Sequence, residues 1–374
     1  MAHSYTPGLK VSEYDIVRRK RILPIKGEVT VKAGDSVEPD TVVARTELPG
    51  DVYPVNVANT LGLGAKEVLA AMQKKVGEYV EQGAVLARAS SFFGLFKSSV
   101  DSPISGTVES ISSITGQVIL RGAPLPVEVK AYIKGRVKGV FPEEGVEVET
   151  PATFIQGIFG VGGETDGELC ILTDDSSQKL EAELILPEHK GKVIVGGSMV
   201  TAESLKKAVE VGVLGIVAGG IDDRDLRDFL GYDLGVAITG SEELGISLMV
   251  TEGFGEIKMA DKTFGFLKKN AGKKVSMNGA TQVRAGVIRP ELVIPCPERS
   301  DDGALLAEAP VIEPGGLIRC IRTPYFGQIG RVTALPSALR MMESGTMVRV
   351  LEVEFEDGEK AVLPRANVER IEGV

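Results

Sequence analysis

Alternating apolar and polar positions predict short β-strands through the first part of the chain, up to about residue 170. Val29, Val31 and Val37 recur at strand-like spacing, and Gly-Asp and Pro-Asp turns interrupt them. After residue 190 the pattern changes, because apolar runs alternate with amphipathic segments such as 201–211, which predict helices. Strand-like alternation returns after Pro314. We therefore expect β structure, then an α/β region, then β structure again.

These changes divide the chain into five predicted segments. The proline-bearing, polar stretch after residue 295 has the composition of a linker. The segments are an N-terminal arm (1–21), a duplicated all-β region (22–170), an α/β domain (185–295), a linker (296–313) and a C-terminal β region (314–374). The predicted fold class is therefore multidomain and mostly β, with one α/β domain.

Two overlaid repeats mark the all-β region. Residues 34–45 return as 77–88, with the shared order Gly, acid, Val and Glu, followed by Val-x-Ala-Arg. A second motif, Ile-x-Gly-x-Val, occurs around Gly27, Gly106 and Gly135. Repeats of this kind indicate duplicated structural units.

The first repeat resembles one half of biotinyl and lipoyl domains, and residues 102–108, with the order Ser-Pro-x-x-Gly-x-Val, resemble the other half. The halves also come in the family's order, before and after a hairpin. The resemblance covers residues 22–150 and implies a barrel-sandwich hybrid fold, which also occurs in subunits of membrane redox complexes.

In the carrier members of that family, the hairpin presents a lysine that receives biotin or lipoate. Lys97 is the only lysine of hairpin 90–99, but it lacks the Met or acidic neighbours that a ligase reads, so modification is the less favoured interpretation. Four apolar residues dominate the same hairpin, namely Phe92, Phe93, Leu95 and Phe96. Because a hairpin tip is normally polar, they either cover their own domain or dock a partner protein.

In the C-terminal region a predicted entering strand at 316–319 is followed by Gly-x-x-Gly-x-Val from Gly327 to Val332. This pattern resembles the KOW motif of ribosomal proteins and transcription elongation factors. This resemblance implies an SH3-like barrel, and KOW domains contact RNA or proteins. Tyr325 and Phe326 are candidates for docking a partner protein or stacking on a base, although we favour their covering one end of the barrel.

Charge and composition argue against nucleic acid as a partner. The net charge is −10, and the excess acid follows residue 150. The only basic cluster, 18–21, is interpreted as a strand end rather than a binding patch. The three cysteines are far apart and form no CxxC pair, and the longest apolar stretch, 211–221, is too short to span a bilayer. With no signal-peptide pattern at the N-terminus, we expect a cytoplasmic protein.

The α/β domain, which resembles swivelling β/β/α domains, holds the candidate ligand site. The sequence places glycines and acids where two predicted strands end, the edge at which open α/β sheets bind ligands. Two arginines that follow would hold a carboxylate. The candidate residues are Gly219, Gly220, Asp222, Gly240, Ser241, Arg284 and Arg289. The alternative is that the glycines form turns, Asp222 caps a helix and the arginines pair with acids of their own domain.

Catalytic chemistry has little support in the sequence. The chain has only two histidines, and no Ser-His-Asp or Cys-His arrangement is evident. Glu164, Asp166 and Glu168 alternate along a predicted strand, either as a site for a hard cation or, as we favour, as one solvated face. We assign no catalytic residue, metal or cofactor.

The favoured function is a non-catalytic scaffold or adaptor that self-assembles or docks partner proteins. Three alternatives stay open at this point. They are an enzyme or small-ligand-binding protein with its site in the α/β domain, a lipoyl- or biotinyl-type carrier, and an RNA-associated factor.

Overall fold

The computed structural model describes residues 9–91, 96–232, 244–281, 288–298, 312–320, 324–325, 328–341, 347–355 and 357–370. Strands account for 47% and helices for 15% of the chain, which confirms the prediction of a mostly β protein with several sheets. The strands up to residue 171 are β1 (Val11–Ile22), β2 (Glu28–Val29), β3 (Ser36–Val37), β4 (Val42–Leu48), β5 (Val52–Val55), β6 (Tyr79–Val80), β7 (Val85–Ser91), β8 (Phe96–Asp101), β9 (Gly106–Ile111), β10 (Val118–Arg121), β11 (Leu125–Lys130), β12 (Gly135–Phe141), β13 (Gly145–Gln156), β14 (Phe159–Val161) and β15 (Glu164–Ile171).

The remaining elements follow in chain order. The later strands are β16 (Lys192–Val195), β17 (Met199–Val200), β18 (Gly215–Ile221), β19 (Ser247–Phe254), β20 (Lys274–Asn278), β21 (Glu291–Pro295), β22 (Leu317–Cys320), β23 (Ile329–Ala334), β24 (Leu339–Met341), β25 (Met347–Phe355), β26 (Lys360–Pro364) and β27 (Val368–Arg370). The helices are α1 (Val57–Leu61), α2 (Val68–Ala71), α3 (Ala202–Val211), α4 (Asp223–Leu230) and α5 (Asp261–Lys269), and the 3₁₀ turns are Ala65–Glu67, Ala182–Leu184, Pro187–His189 and Arg365–Asn367.

Both copies of the first repeat form the same turn. Gly34 and Gly77 have φ values of +92° and +88°, a conformation that strains any side chain. Their N–H groups donate to the carbonyl oxygens of Val137 and Val108, at 2.8 Å in each copy. Each copy thus pairs with one copy of the Gly-x-Val motif. In the sequence, the pair Gly77 and Val108 lies between Gly34 and Val137, so the two pairs are nested.

The second repeat requires glycine because the backbone of another strand passes very close to each of these positions. A Cβ atom on Gly27, Gly106 or Gly135 would lie 2.3, 2.3 or 2.4 Å from a backbone carbonyl oxygen of another strand. No side chain fits at such a distance, so the repeated glycine has the same steric reason in all three copies.

The two copies of the first repeat contribute to different hydrophobic cores. Val37 and Val43 pack in a core that also contains Val293 of β21. Val80 and Leu86 pack in a second core around α1 and α2. This half of the molecule also contains the sheets β11-β4-β2 and β5-β10-β9-β6 and the hairpin β7-β8.

One twelve-stranded sheet joins the all-β region to the α/β region. Its order is β14-β19-β18-β16-β15-β20-β21-β13-β12-β3, with β1 on β13 and β17 on β18. Strands β15, β16, β18 and β19 run parallel. The sheet continues across residue 170, where the sequence pattern separates two domains, because β13 pairs with both β12 and β21. The predicted N-terminal arm contributes β1, which pairs along β13.

Helix α3 confirms the amphipathic segment 201–211. It begins after Thr201, whose hydroxyl accepts from the Ser204 N–H, and α4 and α5 are the other helices of the described α/β region. Helix α2 is short, because after it the chain returns to strand pairing, with the Gln73 N–H bonded to the Leu86 carbonyl. No described helix combines the length and apolar character that a membrane span needs.

The C-terminal region forms a small sheet of its own around one core. Its order is β24-β25-β23-β22-β27, with β26 on β25. Ile318, Cys320, Val332 and Val353 are buried in this core. Most of the predicted linker lies outside the described residues.

Candidate functional site

The predicted ligand edge at the end of β18 is filled by the chain's own backbone. A Cβ atom on Gly219 would lie 2.3 Å from the Ile257 carbonyl oxygen, and one on Gly220 would lie 2.0 Å from that of Gly255. The Gly255 N–H donates to the Ile221 carbonyl at 2.8 Å. The two glycines therefore admit a close backbone crossing at this edge. They lie within β18, so the alternative interpretation that they form turns is wrong.

Asp222 acts as a helix cap. Its Oδ1 atom accepts from the Arg224 N–H at 2.8 Å, which satisfies one of the free amides at the start of α4. Arg289, half-buried, precedes β21, which β16, β15 and β20 separate from β18 in the sheet order. The other candidates for this site, Gly240, Ser241 and Arg284, lie outside the described residues.

The adjacent strand end carries a buried ion pair that sequence reasoning missed. Glu252 of β19 and Arg319 of β22 are 5% and 2% exposed. The Nη2 atom of Arg319 donates a hydrogen bond to the Glu252 carboxylate and forms an ion pair with it. The Nη1 atom of Arg319 donates to the Thr251 carbonyl at 3.2 Å. The Glu252 Oε1 atom also accepts from the Ala260 N–H at 3.0 Å, at the start of α5. The C-terminal sheet is thus fixed to the carboxyl end of a parallel strand.

A signal for this contact exists in the sequence. Glu252 is the only charged residue of β19, and every residue of that strand before Phe254 is buried. Arg319 lies between Ile318 and Cys320, both in the core of the C-terminal sheet, so strand alternation points it away from that core. A buried acid and an outward arginine indicate a pair, but the sequence does not say that they meet.

A second buried network joins the all-β region to β21. Arg19 donates from Nε to the Glu291 Oε1 atom at 2.7 Å, and the Tyr132 hydroxyl donates to the same oxygen at 3.2 Å. Burial raises the pKa of Tyr132 well above its ordinary value, and the Glu291 carboxylate adds to this, so the hydroxyl stays a donor. Tyr132 holds a φ of +69°, which is uncommon for a residue with a side chain.

The basic cluster on β1 is engaged within the protein. Arg18 pairs with Glu149, Arg19 with Glu291 and Arg21 with Glu164, and the Lys20 ammonium lies 5.6 Å from the centre of the Phe141 ring. These contacts account for a positive strand without an external anion. They fit the interpretation of residues 18–21 as structural.

The alternating acids of β15 also have cationic partners. Arg21 lies 2.6 Å from Glu164, Lys274 lies 2.9 Å from Asp166 and Lys192 lies 3.2 Å from Glu168. Within the described ranges no group of three or more His, Cys, Asp or Glu residues is placed to hold a metal ion.

An open cleft of about 630 Å³ lies beside the α/β helices, away from Gly219 and Gly220. Its charged lining consists of Glu181, Glu203, Lys206, Lys207, Glu210 and Asp225. The Lys207 ammonium lies 3.5 Å from Glu210, so part of this lining is already paired. The cleft is a solvated surface of α3 and its neighbours rather than a site at the strand ends.

The remaining candidates fall on two hairpin and loop regions. Lys97 lies within β8, opposite Ser90, and not in the turn of the hairpin. Tyr325 stacks on Phe355 with ring centres 5.0 Å apart, and its hydroxyl donates to Glu359 at 3.0 Å. This supports the interpretation that Tyr325 covers the core of the C-terminal sheet. Phe92, Phe93, Leu95 and Phe326 lie outside the described residues, as does the side chain of Phe96.

Comparison with known proteins adds no family to this geometry. No protein-family model matches the chain, and no curated protein matches it either.

Proposed function

We propose that this chain is a non-catalytic scaffold or adaptor that assembles with itself or docks partner proteins through its β modules. The observation that carries the proposal is the closed strand edge at β18 and β19. Backbone of residues 255–257 fills one part of it, and Arg319 occupies another. A substrate site of the usual α/β kind would keep a cavity between the described residues of this edge, where backbone and Arg319 now lie.

Ion pairs between modules support the same proposal. Arg19 and Glu291 join the all-β region to β21, and Arg319 joins the C-terminal barrel to β19. The Arg319–Glu252 pair is buried and the Arg19–Glu291 pair is half-buried. Removing one partner of a buried pair is costly, so the first pair in particular holds its modules in one arrangement. A fixed arrangement suits a protein whose task is to hold binding surfaces in place.

The proposal includes a fold type for each of three regions of the chain. We assign residues 22–150 to a barrel-sandwich hybrid, the α/β region to a swivelling-type domain and the C-terminal region to an SH3-like barrel. Support for the first comes from the nested glycine turns at Gly34 and Gly77, and for the last from six short strands around one core. A cytoplasmic location is part of the same proposal and is supported by the few, widely separated cysteines.

The hairpin β7-β8 is the module that we propose for docking. In the described part of the chain its two strands pair only with each other, apart from one bridge between Met72 and Ala87. Leu86 and Val100 anchor its base in a core, whereas Arg88 and Ser99 farther along are exposed. The apolar turn 92–95 remains a prediction for the contact itself.

Native mass spectrometry of the full chain, purified from its own cells, tests the proposal. We expect a homo-oligomer or a constant complex with a partner protein, because docking is the proposed activity. A monomer that brings no partner at micromolar concentration would contradict the proposal. The intact mass from the same experiment also reveals any modification of Lys97.

A further inference from the structure

Arg319 comes to β19 from a different module. Its neighbours Ile318 and Cys320 point into the barrel core, so Arg319 projects from the barrel's outer face. An outward arginine on a small barrel is normally exposed, yet this one is 2% exposed. The α/β region therefore encloses a side chain that another module inserts into it.

Glu252 requires a cation at this place. Its carboxylate is 5% exposed and accepts from the Ala260 N–H, where the start of α5 also favours negative charge. One amide and a helix terminus do not replace the hydration of a buried carboxylate. The α/β region thus presents a preformed anionic site that the barrel fills.

The acceptors match a guanidinium group. Two different nitrogens of Arg319 reach two different acceptors, the Glu252 carboxylate and the Thr251 carbonyl. A planar guanidinium fork makes two such bonds in fixed directions, whereas an ammonium is a single point charge. The site also lies at the carboxyl end of a parallel strand, where open α/β sheets bind ligands.

We propose that the carboxyl end of β19 is a guanidinium-binding site and that Arg319 of the C-terminal barrel is its resident intramolecular ligand. A free guanidinium compound, or an arginine side chain of another protein, would occupy the same place only when Arg319 leaves it. The proposed site depends on the contact of Arg319 with Glu252 and Thr251 and not on the proposed scaffold function. Binding of a guanidinium compound can therefore be measured whether or not the chain assembles in solution.

Chemical rescue of the full-length Arg319→Ala variant tests the proposal. Removal of the side chain leaves Glu252 and the Thr251 carbonyl without this ligand. Isothermal titration should show one equivalent of methylguanidinium binding to the variant, with a dissociation constant on the order of millimolar, and no binding to the wild type. The melting temperature of the variant should rise with the same concentration dependence.

Three comparisons make this experiment specific. Methylammonium at equal ionic strength should give less than a tenth of the binding, and Glu252→Gln in the Arg319→Ala background should abolish methylguanidinium binding. Arg340→Ala, an exposed arginine on the same barrel, should behave as wild type. Equal effects of the two cations, equal binding by the wild type, or a folded variant that binds neither would overturn the proposal.

A second variant covers the case in which Arg319→Ala does not fold. Arg319→Lys keeps the charge and most of the chain but lacks the planar fork that directs two hydrogen bonds to separate acceptors. Hydrogen exchange in 247–254 and 317–320 should be faster than in the wild type, and methylguanidinium should slow it only in 247–254. Wild-type exchange rates in Arg319→Lys would contradict the proposal, because any cation would then suffice.

Discussion

The two copies of the first repeat have the same turn and different surroundings. Gly34 and Gly77 share their backbone conformation and their 2.8 Å bond to a Gly-x-Val strand. The first copy packs in a core with Val293 and contributes β3 to the twelve-stranded sheet. The second packs around α1 and α2 and carries the hairpin β7-β8. The local sequence thus specifies the turn. The neighbouring strands decide whether the unit joins the twelve-stranded sheet, which we call the frame, or forms a separate module beside it.

The largest expected effect comes from the cross-strand glycines. Gly135→Ala and Gly106→Ala would each place a Cβ atom within 2.4 Å of a carbonyl oxygen and should lower the free energy of unfolding by 3–4 kcal/mol. Urea unfolding followed by circular dichroism measures this loss. Gly139→Ala on β12 is the matched control, because no heavy atom lies within 4 Å of its Cβ position, and it should cost less than about 0.5 kcal/mol.

Loss of the Glu291 carboxylate should be the next largest effect. Glu291→Ala leaves Arg19 and the Tyr132 hydroxyl without their acceptor and should cost about 3 kcal/mol. Hydrogen exchange should accelerate in β13 and β21 and stay unchanged in β9 and β10 of the second copy. Glu128→Ala, an exposed acid on β11, serves as the control. Equal acceleration in β9 and β10 would show that the two copies are not separable.

A matched valine pair compares the copies most closely. Val37 and Val80 occupy the same repeat position and are 4% and 1% exposed. Replacement by alanine should cost about 2 kcal/mol in each copy, since the same methyl groups leave a packed core. Val37→Ala should speed exchange throughout the twelve-stranded sheet, whereas Val80→Ala should speed it only around α1, α2, β9 and β10. Identical hydrogen-exchange patterns in the two variants would show that both repeat copies are coupled to the same strands.

The turn glycines should give the smallest effect. Gly34→Ala and Gly77→Ala put a side chain at φ near +90° but in open space, so each should cost about 1 kcal/mol. Thermal melting of both variants against the wild type measures the difference. The costs should agree within about 0.5 kcal/mol, because the local geometry is the same. A threefold difference would mean that the surroundings strain one turn more than the other.

Sequence reasoning predicted the parts of the fold that local physics decides. The repeated glycines indicated turns, and the apolar stripe of 201–211 indicated α3, which Thr201 caps. The continuity of the sheet across residue 170 was not predictable, because β13 pairs with β21, which lies far away in the sequence. No local pattern encodes a partner at that separation.

At the candidate site, too, local features were predictable from the sequence and distant contacts were not. Gly219, Gly220 and Asp222 were correctly placed at a strand end and a helix start. What fills that edge was not predictable, since the backbone of residues 255–257 and Arg319 arrive from elsewhere in the chain. The Glu252–Arg319 pair shows that a single acid in a buried strand is a better signal for such a contact than the glycines are.

We infer that the first repeat copy belongs to the frame and the second to a separable module that the frame displays. Native-state hydrogen exchange of the wild-type chain at increasing urea distinguishes the two copies. Strands β12, β13 and β21 should exchange together at the global free energy of unfolding, and β9 and β10 should exchange at a lower one. A single exchange free energy for both groups would show that the second copy is not separable from the first.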